Sequence, residues 1–174
     1  MIYSVCDLET GSLYPQTGAI VSVAVVFLSE DLTPVGHYYS VVKDYPYKVV
    51  DDKALEVNGF TREMISKGRL IDDVLDDLAR MFVGNVMVNH NSKFDCGFLN
   101  ERGFRFTESI DTLLLARKYW PGEKNNLAFA CEKAGIPVEN AHNALYDARM
   151  TAKLLQKFAL IPSLDALTPI KINF

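Results

Sequence analysis

The sequence predicts an α/β domain in which helices flank a mixed sheet. Three segments rich in β-branched and aromatic residues lie close together near the start of the chain. After residue 70, amphipathic helical patterns alternate with short apolar strands. Strands joined by short links pair as antiparallel neighbours, whereas strands separated by helices pair in parallel. No linker divides the 174 residues, so we predict a single domain over 1–174.

The three early strands should form an antiparallel meander. They cover residues 2–7, 19–28 and 35–42, which are rich in valine and aromatic side chains. Turn residues at 29–31 and 34–36 separate the second strand from the third. This arrangement predicts three strands lying side by side at one end of the sheet.

Helical periodicity dominates the rest of the chain. One stripe of a helix contains Ile71, Val74, Leu75, Leu78, Ala79 and Phe82. A strand is predicted over 85–89, with helices over 92–102, 111–119 and 127–134 and a last helix from 145 to 159. Residues 161–174 form an apolar tail, too rich in Leu, Ile and Pro for a typical disordered linker. We expect the tail to pack back on the domain; pairing with a second copy and docking on a polymerase are the alternatives.

Composition excludes several classes of protein. The formal net charge of −4 lacks the basic excess of a protein that coats duplex DNA, so a nucleic acid would be gripped over a few nucleotides. Three widely spaced cysteines argue against a disulfide framework and against a zinc site. No apolar run is long enough for a bilayer, and the first residues lack a signal-peptide pattern. We expect a cytoplasmic protein with no membrane contact.

Two acids follow the first predicted strand. Asp7 and Glu9 are two positions apart, so on a strand they face the same way. Carboxylates about 4 Å apart repel by roughly 4 kcal/mol at an effective dielectric near 20. A hard divalent metal such as Mg²⁺ or Mn²⁺ offsets that repulsion best. Taken alone, the pair is equally typical of a solvated strand end or a structural ion pair.

Two later stretches strengthen the metal interpretation. HNSKFD at 90–95 places Asp95 in the first turn of a helix, and HNALYD at 142–147 places His142 before the last helix and Asp147 in its opening turns. A helix-dipole acid or a loop histidine would explain each stretch separately. Together, four carboxylates and one histidine at element ends match the needs of two-metal phosphodiester chemistry.

These stretches also resemble a known family. DLET at 7–10, HNSKFDCGFL at 90–99 and HNALYD at 142–147 resemble the three motifs of the DEDDh 3′–5′ exonucleases. Residues 111–122 resemble the segment that this family carries between its second and third motifs, and the similarity covers about residues 2–158. The resemblance implies a ribonuclease H-like fold.

The resemblance also implies the site residues. Four acids would hold two Mg²⁺ or Mn²⁺ ions: Asp7, Glu9, Asp95 and Asp147. Matching the motifs to the chemistry assigns Asp7 to both ions, Glu9 and Asp147 to the ion that holds the attacking water, and Asp95 to the other. His142 would be the general base, because the ordinary pKa of histidine, about 6.5, lies near working pH.

The resemblance implies that Leu8 and Thr10 line the sugar of the terminal nucleotide. Independently of the resemblance, the aromatic ring of Phe94 suits stacking on the terminal base. Core packing beside Leu99 is an equally good account of Phe94. Asn91 would either bond the substrate or cap the helix, and we favour the cap.

Other polar positions are less specific. Phosphate contact is an alternative for Lys93, Arg102 and Arg105, and a solvated face is the better account. The chain departs from the commonest family pattern at 11–12, at Ser22 and at 58–60, all outside the catalytic five.

The predicted function is metal-dependent 3′–5′ exonuclease activity that releases nucleoside 5′-monophosphates from single-stranded DNA, in proofreading or repair. One alternative is a 3′–5′ exoribonuclease, which differs only in recognition of the 2′-hydroxyl. Another is a nucleic-acid-binding module that has lost catalysis, against which the presence of all five motif residues argues. DNA is favoured over RNA, and a polymerase or a second copy remains open as a partner.

Overall fold

The computed structural model describes residues 1–44, 48–138 and 142–174. Within these residues the strands are β1 (Tyr3–Thr10), β2 (Ile20–Leu28), β3 (Pro34–Lys43), β4 (Arg69–Leu70), β5 (Val86–Asn89), β6 (Glu108–Asp111) and β7 (Ile170–Lys171). The helices are α1 (Asp52–Asn58), α2 (Arg62–Ser66), α3 (Ile71–Met81), α4 (Ser92–Asn100), α5 (Thr112–Tyr119), α6 (Leu127–Lys133) and α7 (Ala144–Ala159), and a 3₁₀ turn covers Pro162–Leu164.

The strands form one mixed sheet in the order β4-β3-β2-β1-β5-β6-β7. β1, β2 and β3 make the predicted antiparallel meander, while β5 pairs in parallel with β1 and β6 in parallel with β5. The predicted fold class, a meander plus parallel strands flanked by helices, is confirmed. Because β1, β5 and β6 run in parallel, their carboxyl ends meet at one edge of the sheet, where α/β folds build their sites.

Two apolar layers cover the faces of the sheet. Tyr3 and Val5 of β1 belong to the layer that α7 completes, whereas Cys6 and Leu8 belong to the layer of α3 and α4. This alternation follows from the two-residue period of a strand. The same period turns Asp7 and Glu9, the next odd-numbered residues of β1, toward the face of the sheet that α7 covers.

The structure corrects several predicted boundaries. Asp111 does not begin a helix, as the pattern over 111–119 predicted. It ends β6, and its carboxylate accepts a 2.9 Å hydrogen bond from the N–H of Leu113, which caps α5. The helix predicted over 92–102 ends at Asn100. The short elements α1, α2, β4, β6 and β7 have too few residues to show a period, so the sequence pattern did not reveal them.

The apolar tail lies against the rest of the described chain. β7 pairs antiparallel with β6, and Leu164 and Ala166 are buried. Ile172 packs against the layer of α3 and α4. Among the described residues, no helix combines the length and the apolar character that a membrane crossing requires.

Candidate active site

Three carboxylates converge where β1 ends and α7 begins. Asp7, Glu9 and Asp147 each place a side-chain oxygen within 4.8 Å of the others. Burial raises the pKa of Asp7 well above its ordinary value, and the charges of its acidic neighbours add to the rise. Burial and the charge of Asp147 raise the pKa of Glu9 to about 7. A site with these properties favours either a bound proton or a bound cation.

The fourth acid reaches this cluster from the opposite layer. The carboxylate of Asp95 accepts a 3.0 Å hydrogen bond from the backbone N–H of Leu8, the residue between Asp7 and Glu9. Asp95 lies outside the group of three, yet its charge is the largest charge contribution to the raised pKa of Asp7. Burial raises the pKa of Asp95 itself, while the bond from Leu8 opposes that rise. The structure therefore brings all four predicted acids together.

His142 lies beside the cluster at the entrance to α7. Its side chain is exposed, and its backbone N–H donates a 3.2 Å hydrogen bond to Asp147. The next residue, Asn143, caps the helix, because its side-chain oxygen accepts from the N–H groups of Leu145 and Tyr146. The cap holds the turn that presents the histidine next to the Asp147 carboxylate.

A cleft of about 350 Å³ opens beside the carboxylates. Leu8, Thr10 and Phe94, three of the predicted substrate contacts, line it together with residues of α1. Phe94 also packs on Phe98 with 5.1 Å between ring centroids, so the two accounts of this residue are compatible. The carbonyl of Thr10 accepts a 3.3 Å hydrogen bond from the side chain of Asn58, which ties α1 to β1 across the cleft.

The predicted cap role of Asn91 is wrong. Asn91 occupies the N-cap position of α4 with φ at 83°, but its side chain makes no capping hydrogen bond. The buried carboxylate of Asp111 takes that place and accepts from the N–H groups of Asn91 and Ser92 at 3.0 and 2.9 Å. This role of Asp111 was not predicted from the sequence, where the available signal is an acid at the start of a helical pattern.

Arg102 is neither a phosphate contact nor part of a solvated face, so both accounts of it are wrong. It forms an ion pair with Asp44 at 2.5 Å, and each side chain is only 6% exposed. Its guanidinium also donates to the carbonyl of Gly18 at 2.7 Å. This pair holds the loop after β1 against the end of β3. Lys93 and Arg105 are exposed, as a solvated face requires.

The chain departs from the family pattern next to these residues. Ser22 lies directly opposite Glu9 in the β1–β2 register and is fully buried. Gly11 packs so tightly that an added Cβ would lie 2.5 Å from the carbonyl oxygen of Val49. The departures therefore lie at the sides of the site and leave the four acids and His142 in place.

The donor set suits a hard divalent cation. All the converging groups are carboxylates, the ligands that Mg²⁺ and Mn²⁺ prefer. One oxygen of Asp147 is buried and has no hydrogen-bond partner within the described residues. A cation would satisfy that oxygen and would favour the charged forms of acids whose pKa burial has raised.

Comparison with known proteins identifies the family. The exonuclease family model, RNase_T, matches residues 4–155. The chain belongs to the exonuclease family. The resemblance inferred from the three motifs is therefore confirmed.

The curated relatives are longer than this chain. The PolC-type DNA polymerase III of Thermotoga petrophila is 30% identical over 167 residues, which cover 90% of this chain and 12% of that protein. The DNA polymerase III epsilon subunit of Buchnera aphidicola subsp. Schizaphis graminum is 29% identical over 126 residues, or 67% of this chain and 53% of that subunit. The chain thus spans about half or less of these two relatives.

Solved structures share the fold. Exonuclease X in complex with 5′ overhanging duplex DNA superposes with a TM-score of 0.75 and 28% identity, covering 92% of this chain and 93% of that one. The nuclease domain of 3′hExo, a DEDDh family member bound to rAMP, superposes with a TM-score of 0.81 at 15% identity, covering 98% and 97%. These structures agree with the ribonuclease H-like fold implied by the motifs.

Proposed function

We propose that residues 1–174 form the catalytic domain of a 3′–5′ exonuclease that releases nucleoside 5′-monophosphates from single-stranded DNA. The observation that carries this proposal is the convergence of Asp7, Glu9 and Asp147 within 4.8 Å, with Asp95 bonded to the intervening backbone. The cleft beside them supports a substrate that ends there. Relatives named as DNA polymerase III and a fold neighbour bound to DNA support DNA as the nucleic acid.

The cleft accounts for recognition of the strand end. A terminal nucleoside in it would meet Phe94 on the side of its base and Leu8 and Thr10 on the side of its sugar. The bond between Asn58 and the Thr10 carbonyl fixes the far wall. Because the cleft is bounded by α1 and β1, it suits one nucleotide better than a continuous duplex.

The side chains divide the chemistry between them. Asp7, Glu9, Asp95 and Asp147 would hold two Mg²⁺ or Mn²⁺ ions, which when bound stabilise charge on the phosphodiester and acidify the attacking water. His142 would accept the proton of that water as its oxygen forms a bond to phosphorus. The bond from phosphorus to the 3′ oxygen of the preceding nucleotide breaks, and that oxygen is protonated from solvent. The leaving product is a nucleoside 5′-monophosphate.

Cleavage of end-labelled oligonucleotides tests the proposal. A 3′-labelled single strand with Mg²⁺ should release labelled mononucleotide at once, whereas a 5′-labelled strand should shorten stepwise. Asp7→Asn should abolish both signals, because the amide removes a charged donor while keeping the size of the side chain. Undiminished release by this variant would overturn the site, and faster cleavage of a matched RNA would favour the exoribonuclease alternative.

The same relatives support a proofreading or repair setting. We propose that an unpaired 3′ end is the preferred terminus, because a paired end must first be opened to enter the cleft. A primer with a mispaired 3′ nucleotide should therefore lose it faster than a paired primer. Equal rates would argue against proofreading.

We also propose that the protein works in a reducing cytoplasm. Its three cysteines are free and buried, which suits that compartment.

A further inference from the structure

A second polar surface lies at the same sheet edge as the carboxylates, beside the first turn of α4. Two adjoining hollows of about 210 and 470 Å³ share Asn91, Leu113 and Arg117. The first hollow lies between α4, α5 and β7, and the second extends from His90 to the start of α6. We refer to the two hollows together as the α5 trench.

The α5 trench carries cationic side chains that form no ion pair within the described residues. Lys93 and Arg117 line it and are exposed. Neither forms an ion pair with any acid in the parts of the chain that the structure describes. Lys171 also lines the trench, although it lies opposite Glu108 in the β6–β7 register. In a chain of net charge −4, two free cations at one hollow indicate an anionic ligand.

The acids of the α5 trench already have partners. Glu123 pairs with Lys133 at 2.9 Å. The carboxylate of Asp111 accepts hydrogen bonds from three backbone N–H groups, of which the longest is 3.0 Å. These bonds stabilise the carboxylates of Asp111 and Glu123 within the fold, so neither acid forms an ion pair with Lys93 or Arg117 among the described residues.

Buried polar groups give independent support for a polar ligand. Ser92 and Ser109 line the first hollow and are each 1% exposed. Their hydroxyls have no hydrogen-bond partner among the described residues, and the same holds for the side-chain oxygen of Asn125 in the second hollow. A buried polar group without a partner costs about 1–3 kcal/mol, so such groups normally meet water or a ligand.

We propose that the α5 trench binds a backbone phosphate of the nucleic-acid strand upstream of the scissile bond, mainly through Arg117 and Lys93. This inference rests on the proposed function and extends it. Phe94 lines the cleft for the terminal nucleotide, whereas its neighbour Lys93 lines the trench. Consecutive residues of α4 therefore face the cleft and the trench, so a strand that leaves the carboxylates can pass over the first turn of α4 to reach the trench.

Strand binding at the trench would also give α5 a role. Residues 111–122 resemble a segment of the family but contain none of the five catalytic candidates. In the structure, the start of this segment caps two helices through Asp111, and six residues later it presents Arg117. The segment would then hold the strand while the three motifs cleave it.

Two substrates separate strand binding from chemistry. One is a single strand of about twelve nucleotides, within the site sizes of single-strand binders. The other is the p-nitrophenyl ester of thymidine 5′-monophosphate, which has no upstream nucleotide. For Arg117→Gln/Lys93→Gln, the ratio of kcat/KM on the strand to kcat/KM on the ester should fall by roughly tenfold, mostly through KM. The dependence of log KM on log salt should become shallower by about 1 to 2.

The matched control is Arg105→Gln/Lys157→Gln, which removes the same charge from exposed positions outside the trench. Its substrate ratio should stay near that of the wild type. An unchanged ratio in the trench variant, or an equal fall in the control, would overturn the proposal. If the wild type cleaves neither substrate, the proposed function fails, and anisotropy of a labelled oligonucleotide with Ca²⁺ tests the trench by itself. In that case, equal affinity of the trench variant and the control variant for the oligonucleotide would count against strand binding at the trench.

A free nucleotide is the other source of such a phosphate. Added thymidine 5′-monophosphate should inhibit the strand and the ester equally in the wild type, through the cleft alone. Selective inhibition of strand cleavage that disappears in Arg117→Gln/Lys93→Gln would assign the trench to free nucleotide and overturn the assignment to the strand.

Discussion

The backbone N–H of Leu8 donates a 3.0 Å hydrogen bond to the carboxylate of Asp95. This bond joins β1 to α4, and it joins the first sequence motif to the second. It also places the fourth acid against the backbone between the two acids of β1. The site is thus assembled partly by the main chain, so the effect of changing Asp95 depends on what replaces it.

Asparagine and alanine at position 95 should differ in stability and agree in activity. Asp95→Asn keeps an oxygen that can accept from Leu8, so its free energy of unfolding should stay within about 1 kcal/mol of the wild type. Asp95→Ala leaves the buried N–H of Leu8 without a partner and should lose about 1–3 kcal/mol. Both variants should cleave single-stranded DNA roughly 100-fold more slowly. Urea unfolding measures the first difference, and equal stability losses would contradict the role of the bond.

Stability of the metal-free protein should fall as pH rises from about 4.5 to 7. Burial raises the pKa of Glu9 from 4.5 to about 7 and raises the pKa of Asp7 as well. In this window the folded state holds more protons than the unfolded state, so the free energy of unfolding decreases with pH. Below about 4.5 both states hold the Glu9 proton, and its contribution is fully present. Thermal melts in EDTA should therefore give a lower Tm at pH 7.5 than at pH 4.5.

A variant and an added metal ion check the cause of this pH dependence of Tm. Glu9→Gln cannot ionise, so its Tm should change less with pH than the Tm of the wild type or of the exposed control Glu101→Gln. Mg²⁺ should restore the Tm at the higher pH, because a cation favours the charged carboxylates. A slope that survives in Glu9→Gln would assign the effect to other groups.

Asparagine is the informative replacement for His142. The backbone of His142 has φ at 66°, a left-handed conformation that asparagine adopts more readily than alanine. His142→Asn should keep the turn and the bond to Asp147 while it removes the imidazole. We expect turnover to fall by roughly 10²- to 10⁴-fold, the usual contribution of a general base, with Mn²⁺ affinity preserved in calorimetry. Lost Mn²⁺ binding would make His142 a ligand instead.

Local patterns predicted the convergence of the acids and the helix α3. The two-residue period of β1 placed Asp7 and Glu9 on one face, and their oxygens do converge with an oxygen of Asp147. The stripe from Ile71 to Phe82 gave α3, whose buried residues are Val74 and Leu78. Each of these features repeats along the sequence or follows from spacing, so it is visible without knowledge of distant contacts.

Long-range partners were not predictable in the same way. Asp111 caps α4 from a strand that lies 19 residues further along the chain, and Arg102 meets Asp44 across 58 residues. A local pattern can mark Asp111 as the cap of its own helix, but it does not reveal that Asp111 also caps α4 or that Arg102 meets a buried acid. Helices as short as α2, with five residues, show no period and are held by a cap at Thr61 and by tertiary packing.

The buried pair of Arg102 and Asp44 should contribute strongly to stability. Both side chains are 6% exposed, and Asp44 also accepts a 3.0 Å hydrogen bond from the N–H of Ile20. Arg102→Met keeps the apolar stem but leaves a buried carboxylate without its cation, which should lower the free energy of unfolding by about 3–5 kcal/mol. Arg105→Met, at an exposed site, should change it by no more than about 0.5 kcal/mol.

A double-mutant cycle distinguishes the lost pair from simple loss of packing. Asp44→Asn keeps an acceptor for Ile20 and removes the charge, so Arg102→Met/Asp44→Asn should be more stable than Arg102→Met alone. The expected coupling is about 1–3 kcal/mol, measured by urea unfolding of all four proteins at one pH. If the double variant is no more stable than Arg102→Met, the cost comes from the contacts of the arginine with the carbonyl of Gly18 and its neighbours. In that case the charge of Asp44 is not what makes Arg102 necessary.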